Sequence, residues 1–362
     1  MESATSTSDG AGMETGAAIA DAVRNGELTR EGIVRLLEIA DPEELQKLFI
    51  AADAIRQRFV GSEVFLRGIV EFSNFCRRDC LYCGLRLSNR DLPRYRMEEG
   101  EILAAAHRIK AAGISTIVLQ SGEAPCQSTV RICRLIRRIK DETSLVVTLS
   151  VGERPLGDYL AFREAGANRY LLKQETSSPE LYARFRPGCR HEERQQCLRH
   201  LKELGYEIGT GNIVGLPGQN TADLAADLLF IREIDADMVG IGPFIAHPQT
   251  PLAPCPNGSP AMTLKVLAVA RLLTRSTNIP ATTALATIAP QGWRDALQSG
   301  ANVIMPNFTP VVYRGLYEIY PGKSSASTNV PDFPEMLEQE LRDSGRIIGT
   351  GSGFRKRQEI SG

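Results

Sequence analysis

Val64-Phe-Leu-Arg-Gly-Ile-Val-Glu-Phe-Ser73 is an apolar run rich in β-branched residues, and Cys76-Arg-Arg-Asp-Cys80-Leu-Tyr-Cys83 follows it almost at once. The fold turns on whether that run is one of a repeated set. Similar runs lie at 115–123, 145–152, 168–176, 207–215, 238–244, 279–287 and 301–308. Amphipathic segments separate them, at 98–112, 130–140, 156–165, 191–204, 221–234, 262–276 and 291–299. In the first of these Ile102, Ala106 and Ile109 share one helical face, and in the fifth Leu224, Leu228 and Ile231 do. Ala112-Gly113, Ala165-Gly166, Leu204-Gly205 and Ser299-Gly300 end four helices with the residue that suits a left-handed C-cap. Strands apolar on both faces and separated by helices are parallel and covered. Eight of them favour a closed (β/α)8 barrel of the TIM type, an α/β fold, over an open doubly wound sheet. No Pro/Ser/Gly linker splits the repeats into two domains.

Working outward, Asp41, Pro42 and Glu44 fit an N-cap, a first helical position and a carboxylate reaching back to the cap. Leu45, Leu48, Ala52, Ile55 and Phe59 then give that helix an apolar face. The expected organisation is a disordered tail over 1–17, an N-terminal helical extension over 18–62, the barrel over 63–323 and a C-terminal extension over 324–362. Lys plus Arg total 42 and Asp plus Glu 43, so no electrostatic case exists for nucleic acid or an anionic membrane as partner. No apolar run has the length of a membrane span, and the Ser/Thr/Gly-rich start lacks the pattern of a signal peptide. A cytoplasmic location is expected. Of eight cysteines, three fall within eight positions and five are scattered, which reads as one metal site plus small buried residues.

The cysteine loop lies at the C-terminal mouth of the barrel, where barrel enzymes keep their chemistry. C-x3-C-x2-C supplies three thiolates, one for each of three irons of a cubane, and leaves a fourth iron without a protein ligand. S-adenosylmethionine (SAM) can chelate such an iron and be cleaved to a 5′-deoxyadenosyl radical. A zinc site wants a fourth Cys or His nearby, and His107 sits on a predicted helix instead. Cys76, Cys80 and Cys83 are therefore expected to hold one 4Fe–4S cluster, with Tyr82 packing beside the adenine. Gln120-Ser121-Gly122-Glu123 at the second strand end suits the methionine end of SAM. Glu175 suits its amine or ribose hydroxyls, although a cap for the next helix competes. Gly209 to Gly218 would let backbone approach a flat ligand.

These residues carry a resemblance. EFSNFCRRDCLYCGLRLSNRDLPRYRM at 71–97 resembles the HydE family, radical SAM maturases that act in assembly of the FeFe-hydrogenase active-site cluster. So do VLQSGE at 118–123, ELGYEIGTGNIVGLPGQ at 203–219 and MVGIGPFIAHPQTPLA at 238–253. NIPATTALATI at 278–288, GANVIMPNFTP at 300–310 and YRGLYEIYPGK at 313–323 complete it. The resemblance implies that Gln120, Ser121, Glu175, Arg194, Pro243 and Ile245 hold SAM. It implies that Thr282, Thr283, Met305, Tyr317 and Tyr320 line a substrate cavity inside the barrel. From sequence alone the two threonines would stand mid-strand, and Tyr313, Tyr317 and Tyr320 fit an aromatic packing face equally well. The implied substrate is small or organometallic and bears sulfur, a cysteine-bound iron carrying CO and cyanide. The implied partners are an electron donor such as ferredoxin or flavodoxin and other hydrogenase maturases.

The sequence departs from that pattern twice. Many members carry a second cysteine set after the YPGK segment, where this chain reads SSASTNVPDFPEM. A single cluster is expected. Lys173 also stands where Arg is expected, a point charge in place of a bidentate fork, and should face an anionic group of the substrate. Two alternatives stay open: a radical SAM mutase of the methylornithine synthase or biotin synthase type, and a non-catalytic iron–sulfur carrier.

Overall fold

The computed structural model describes residues 6–124, 128–323, 338–339, 341–342 and 344–357. Three helices come first: α1 Ser6–Asn25, α2 Arg30–Leu37 and α3 Pro42–Phe59. Helix α1 takes in 6–17 of the expected tail, in keeping with the Ala-rich run that ends it, and 1–5 lie outside the described residues. The Asp41 carboxylate caps α3, accepting from Glu43 N at 2.9 Å and Glu44 N at 3.0 Å. Glu44 itself turns to Lys47, 2.7 Å away, and not back to the cap. The barrel helices among the described residues are α4 Glu99–Ala111, α5 Thr129–Thr143, α6 Leu156–Glu164, α7 Pro179–Phe185, α8 His191–Glu203, α9 Thr221–Glu233, α10 Pro260–Thr274, α11 Thr283–Ile288, α12 Gly292–Gln298 and α13 Val311–Arg314, and α3 packs on α10 and α2 on α9.

The strands are β1 Glu63–Leu66, β2 Gly68–Ser73, β3 Thr116–Ser121, β4 Val146–Ser150, β5 Arg169–Leu171, β6 Glu207–Thr210, β7 Ile213–Val214, β8 Met238–Val239, β9 Gly242–Pro243, β10 Val303–Ile304 and β11 Ile347–Ile348. β2-β3-β4-β5-β6-β8 form one parallel sheet. Parallel bridges from Met238 to Asn278 and from Pro280 to Val303 carry the pairing onward. β10 then pairs in parallel with β1, Phe65 to Val303 and Leu66 to Ile304, and Ile69 bridges Asn307. The circuit closes, and the eight-strand barrel stands.

Several expected strands are shorter than their apolar runs. The run 279–287 is strand only at its start. Pro280 has no N–H to give to a ladder, and Thr283–Ile288 is a helix, α11, capped by Thr282. Thr282 and Thr283 are thus a cap and a first helical turn, not mid-strand residues. The four glycine stops behave as read, all at positive φ.

The barrel has two unlike ends. At the N-terminal end the chain seals itself with its own C-terminal extension. β11 pairs with β1, and the next residues cross beneath the strands. Ser352 O accepts from Arg169 Nη2 at 2.8 Å and Thr116 Oγ1 at 3.2 Å. Gly353 O accepts from Asn278 Nδ2 at 3.0 Å and Arg67 Nη2 at 3.1 Å. The Phe354 ring lies 4.1 Å from the Arg169 guanidinium. Buried polar strand ends need partners, and this segment supplies them. No helix among the described residues is long and apolar enough to cross a membrane.

Candidate active site

The other end holds the cysteine loop, which follows β2 by two residues. Such a loop is irregular, so its backbone groups need partners other than a ladder. Arg94 supplies four donors, to Asn74 O (2.7 Å), Leu85 O (2.9 Å), Arg86 O (2.8 Å) and Asn89 O (3.1 Å). Asp79 accepts both arms of Arg86, at 2.9 and 2.8 Å, and both Ser88 groups. Arg77 N bonds Glu123 O at 2.8 Å, Leu81 N bonds Phe185 O at 2.9 Å and Gly84 N bonds Ile319 O at 3.0 Å. The loop is therefore pinned to the end of β3, to the end of the helix Pro179–Phe185 and to the segment after the helix Val311–Arg314. Gly122 allows one close approach: a Cβ there would stand 2.3 Å from Phe75 O and 3.0 Å from Cys76 Cβ.

Cys80 is buried and Cys76 and Cys83 are half-buried. Burial pushes all three thiols up, Cys80 to about 11, and neighbouring cysteine charges add to the rise at Cys80 and Cys83. Arg186 opposes that rise at Cys80. Among the described residues no three His, Cys, Asp or Glu side chains converge on a single metal ion. A cubane asks for something else, one thiolate per iron spread around a cube. Three neighbouring thiols, one buried and two half-buried, beside a guanidinium fit that group.

A cavity of about 280 Å³ opens beside the loop. Its wall contains Tyr82, Cys83, Gln120, Ser121, Glu175, Arg194, Pro243 and Ile245, so one space gathers Tyr82 and the six residues the resemblance assigns to SAM, while of the stretch 209–218 only Ile213 joins them. Lys173 and Tyr320 share that wall. The other expected substrate residues stand outside it. The Thr282 hydroxyl donates to Ile241 O at 3.1 Å and accepts from Leu285 N at 3.4 Å. Thr283 starts α11 and Met305 is half-buried just after β10. Tyr317 is buried behind Gln120, with Lys323 Nζ 5.3 Å from its ring. Ser178, not Glu175, caps helix α7 (Pro179–Phe185), which removes the competing role for Glu175.

Around the cavity wall lies a charge layer in which Glu123, Lys173, Glu175 and Arg194 meet three residues that the sequence reading did not single out, Arg78, Glu153 and Arg186. Glu153 accepts from Arg194 Nε at 3.0 Å and also from Arg78, which bonds Glu123 as well. Burial disfavours the Glu123 anion, but Arg194, Arg78 and Arg186 outweigh it and hold the carboxyl below its usual range. Arg186 lies 3.9 Å from both Glu153 and Glu175. Lys173 Nζ is 3.7 Å from Glu175, so part of the partner expected for this lysine is the chain's own carboxylate. A signal existed in the sequence, since Glu123, Glu153 and Glu175 all stand at strand ends.

Glu175 has φ 71°, a left-handed backbone that costs a non-glycine residue roughly 1 kcal/mol. The surroundings fix it there. Glu175 N donates to Gly211 O at 3.1 Å and Glu175 O accepts from Ile213 N at 2.9 Å. Behind it the buried Asp227 accepts from Ser177 N and from Asn212 Nδ2 (2.9 Å), and Gln174 Nε2 donates to Asp227 O at 3.2 Å. Burial pushes the Asp227 carboxyl up to about 7 against those hydrogen bonds. Of the remaining cysteines, Cys133 is buried and Cys189, Cys197 and Cys255 are half-buried, all free, while Cys126 lies outside the described residues. Cys255 falls in the same exposure class as Cys189 and Cys197.

Residues 70–231 match the family model of the radical SAM superfamily. The chain is 49% identical over 339 residues to the [FeFe] hydrogenase maturase subunit HydE of Thermotoga maritima, covering 92% of this chain and 97% of that one. It is 32% identical over 324 residues to 3-methylornithine synthase of Methanosarcina acetivorans, covering 89% and 88%. A crystal structure of methylornithine synthase superposes with a TM-score of 0.78 at 26% identity, over 92% of this chain and 97% of that one.

Proposed function

This chain belongs to the HydE family of radical SAM enzymes, and from that premise we propose that it cleaves SAM reductively to act on a sulfur-bearing organometallic substrate during assembly of the FeFe-hydrogenase diiron unit. The observation that carries the reading is the gathering of Tyr82, Gln120, Ser121, Glu175, Arg194, Pro243 and Ile245 around one cavity whose wall includes Cys83. Cys76, Cys80 and Cys83 would hold one 4Fe–4S cluster, and cluster and SAM together supply the one-electron cleavage that yields a 5′-deoxyadenosyl radical. The protein's part is positioning and exclusion. Ile213, Pro243, Phe244 and Ile245 line the space with apolar surface, which keeps water from a reactive species. The Glu175 carboxylate, fixed by its backbone, accepts hydrogen bonds from the SAM amine or ribose. Lys173 and Tyr320 present a charge and a phenol to the substrate. An acidic electron carrier of the ferredoxin or flavodoxin class and the other maturases are the partners this reading requires.

A mutase of the 3-methylornithine synthase type is the second reading, favoured by 32% identity over most of the chain. The higher identity to HydE ranks it second. A bare iron–sulfur carrier has no use for the cavity. The test is anaerobic reconstitution, chemical reduction and measurement of 5′-deoxyadenosine from SAM. Cys80→Ala should make none, and replacing all three motif cysteines should remove all iron. Cleavage at the wild-type rate by Cys80→Ala sinks the cluster assignment. Iron and sulfide retained by the triple variant would mean a second cluster. Support for hydrogenase maturation in a reconstituted maturase mixture separates the maturase from the mutase.

A further inference from the structure

The turn that ends α7 is bonded twice to the cysteine loop. Leu81 N donates to Phe185 O at 2.9 Å, and Arg186 Nη1 donates to Tyr82 OH at 3.2 Å. Both acceptor and donor belong to the stretch between Cys80 and Cys83. The Arg186 side chain is only 5% exposed, so its charge sits in low dielectric and needs a counter-charge. The protein gives it two carboxylates, both shared and neither in hydrogen-bond contact. Glu153 and Glu175 stand at 3.9 Å, beyond hydrogen-bond reach. Glu153 is already bonded by Arg194 and Arg78, and Glu175 is shared with Lys173. The other neighbours are the Tyr182 ring, 5.1 Å away, and the Cys189 sulfur at 4.0 Å. Arg186 Nε is buried with no hydrogen-bond partner. The same guanidinium thus reaches the cysteine loop on one side and the Glu175 edge of the cavity on the other.

We propose that the iron–sulfur cluster completes the counter-charge that the shared carboxylates supply only in part, and that Arg186 is a positioning residue that sets how readily the cluster accepts its electron. This rests on the cluster assignment made above. A cubane held by three thiolates is anionic, and reduction adds one more negative charge. A fixed, buried cation beside it stabilises the reduced state more than the oxidised one. Its side-chain bond to Tyr82 orients the loop but carries no net charge. Charge and hydrogen bond therefore separate by mutation. Arg186→Met removes the charge, Arg186→Lys keeps it without the fork, and Tyr82→Phe removes only the bond.

The experiment is an anaerobic redox titration of the full-length reconstituted protein without SAM, followed by electron paramagnetic resonance, with iron and sulfide counted for each variant. In Arg186→Met the equilibrium for reduction should fall about tenfold or more, a downward shift of about 59 mV per tenfold for a one-electron couple. Arg186→Lys should shift by less than half as much, and Tyr82→Phe should stay near wild type. A fully loaded Arg186→Met protein with an unchanged potential overturns the proposal, as does a Lys variant that shifts as far as Met. If Arg186→Met does not load, Arg186→Gln carries the same test with a planar amide. If neither loads and Lys does, the cluster demands a charge here, which supports the proposal. If Lys also fails to load, the role is geometric and the proposal falls. Failure of the wild type to hold a cluster would instead sink the underlying assignment.

Discussion

Asp227→Asn should change how stability depends on pH. Asp227 is fully buried on α9, and burial raises its carboxyl from 3.8 to about 7 while hydrogen bonds from Ser177, Asn212 and Thr176 pull the other way. Asn212 Oδ1 is buried with no partner. Amide oxygen and nitrogen are interchangeable by a flip, and the flipped Asn212 would offer that oxygen to a protonated Asp227. The acid form therefore has an acceptor waiting. The folded value lies above the unfolded one, so the folded state binds more protons between them. Its contribution to stability is complete below about pH 4, declines as pH rises and is gone above about pH 7. Between about pH 6 and pH 8 the wild type should lose about 1 kcal/mol through this group. Asn keeps the acceptor for Ser177 N, gives a donor to the flipped Asn212 and does not titrate. At about 2 cal/mol/K per residue, a chain of 362 residues converts 1 kcal/mol into a midpoint shift of about 1–2 °C. The assay is thermal unfolding of both proteins at the two pH values. The midpoint of Asp227→Asn, relative to wild type, should be higher at pH 8 than at pH 6 by that amount. Every other titrating group cancels in the difference. An offset that is the same at both pH values refutes the reasoning.

Three further outcomes are expected. Lys173→Ala should leave SAM cleavage without substrate largely intact and reduce substrate turnover about tenfold, since one charge-assisted contact is worth about 1.5 kcal/mol or more; collapse of SAM affinity alone would reassign the lysine. Gly122→Ala would drive a Cβ to 2.3 Å from Phe75 O, so iron content should drop while far-ultraviolet dichroism stays at wild type; normal iron loading would show that the loop can give way. Deleting 351–362 strips the hydrogen bonds that Ser352 and Gly353 accept from Arg169, Thr116, Asn278 and Arg67. At about 1 kcal/mol each, the melting midpoint should fall by several degrees, and an unchanged midpoint would make the segment dispensable.

The barrel was legible because its repeat is local. Each apolar run and each amphipathic segment carries its own period, and eight in succession leave one architecture. The strand lengths were not legible, because single residues cut them: Pro280 stops strand seven, and the stretch from Gly211 breaks β6 from β7. The cysteine loop was legible from spacing alone. Arg78, Glu153 and Arg186 were not, because they meet only after separate strand and helix ends converge. Tyr317 and the two threonines needed the same long-range information. A tail such as Gly-Ser-Gly-Phe-Arg reads as polar and exposed, and nothing local says that Arg67 and Arg169 wait beneath the barrel for its carbonyls.

The two barrel ends then answer one physical problem in opposite ways. Parallel strands converge at each end with polar groups that low dielectric makes costly unless paired. At the N-terminal end pairing comes from the chain itself. Ser352 and Gly353 offer carbonyls to Arg169, Arg67 and Asn278, Asp235 takes Arg355 and Arg357, and Asp237 takes Arg357 as well. At the cysteine end the charges crowd together but do not close. Glu153 serves three guanidinium groups, Lys173 and Arg186 lean on one Glu175, and the thiols are pushed toward their neutral form by burial. Such a layer is stable only because neighbouring cations and anions share one another imperfectly, and it gains most from a bound group that brings its own charge. Ligand binding should therefore stabilise this protein from the cysteine end, by mass action on the folded state, and leave the sealed end unchanged. Amide exchange separates the two: added SAM should slow exchange at residues 76–83 and 173–177 in the reconstituted protein and leave 350–357 as it was. Equal slowing at both ends would mean that the barrel tightens as a whole and that the two ends are not independent.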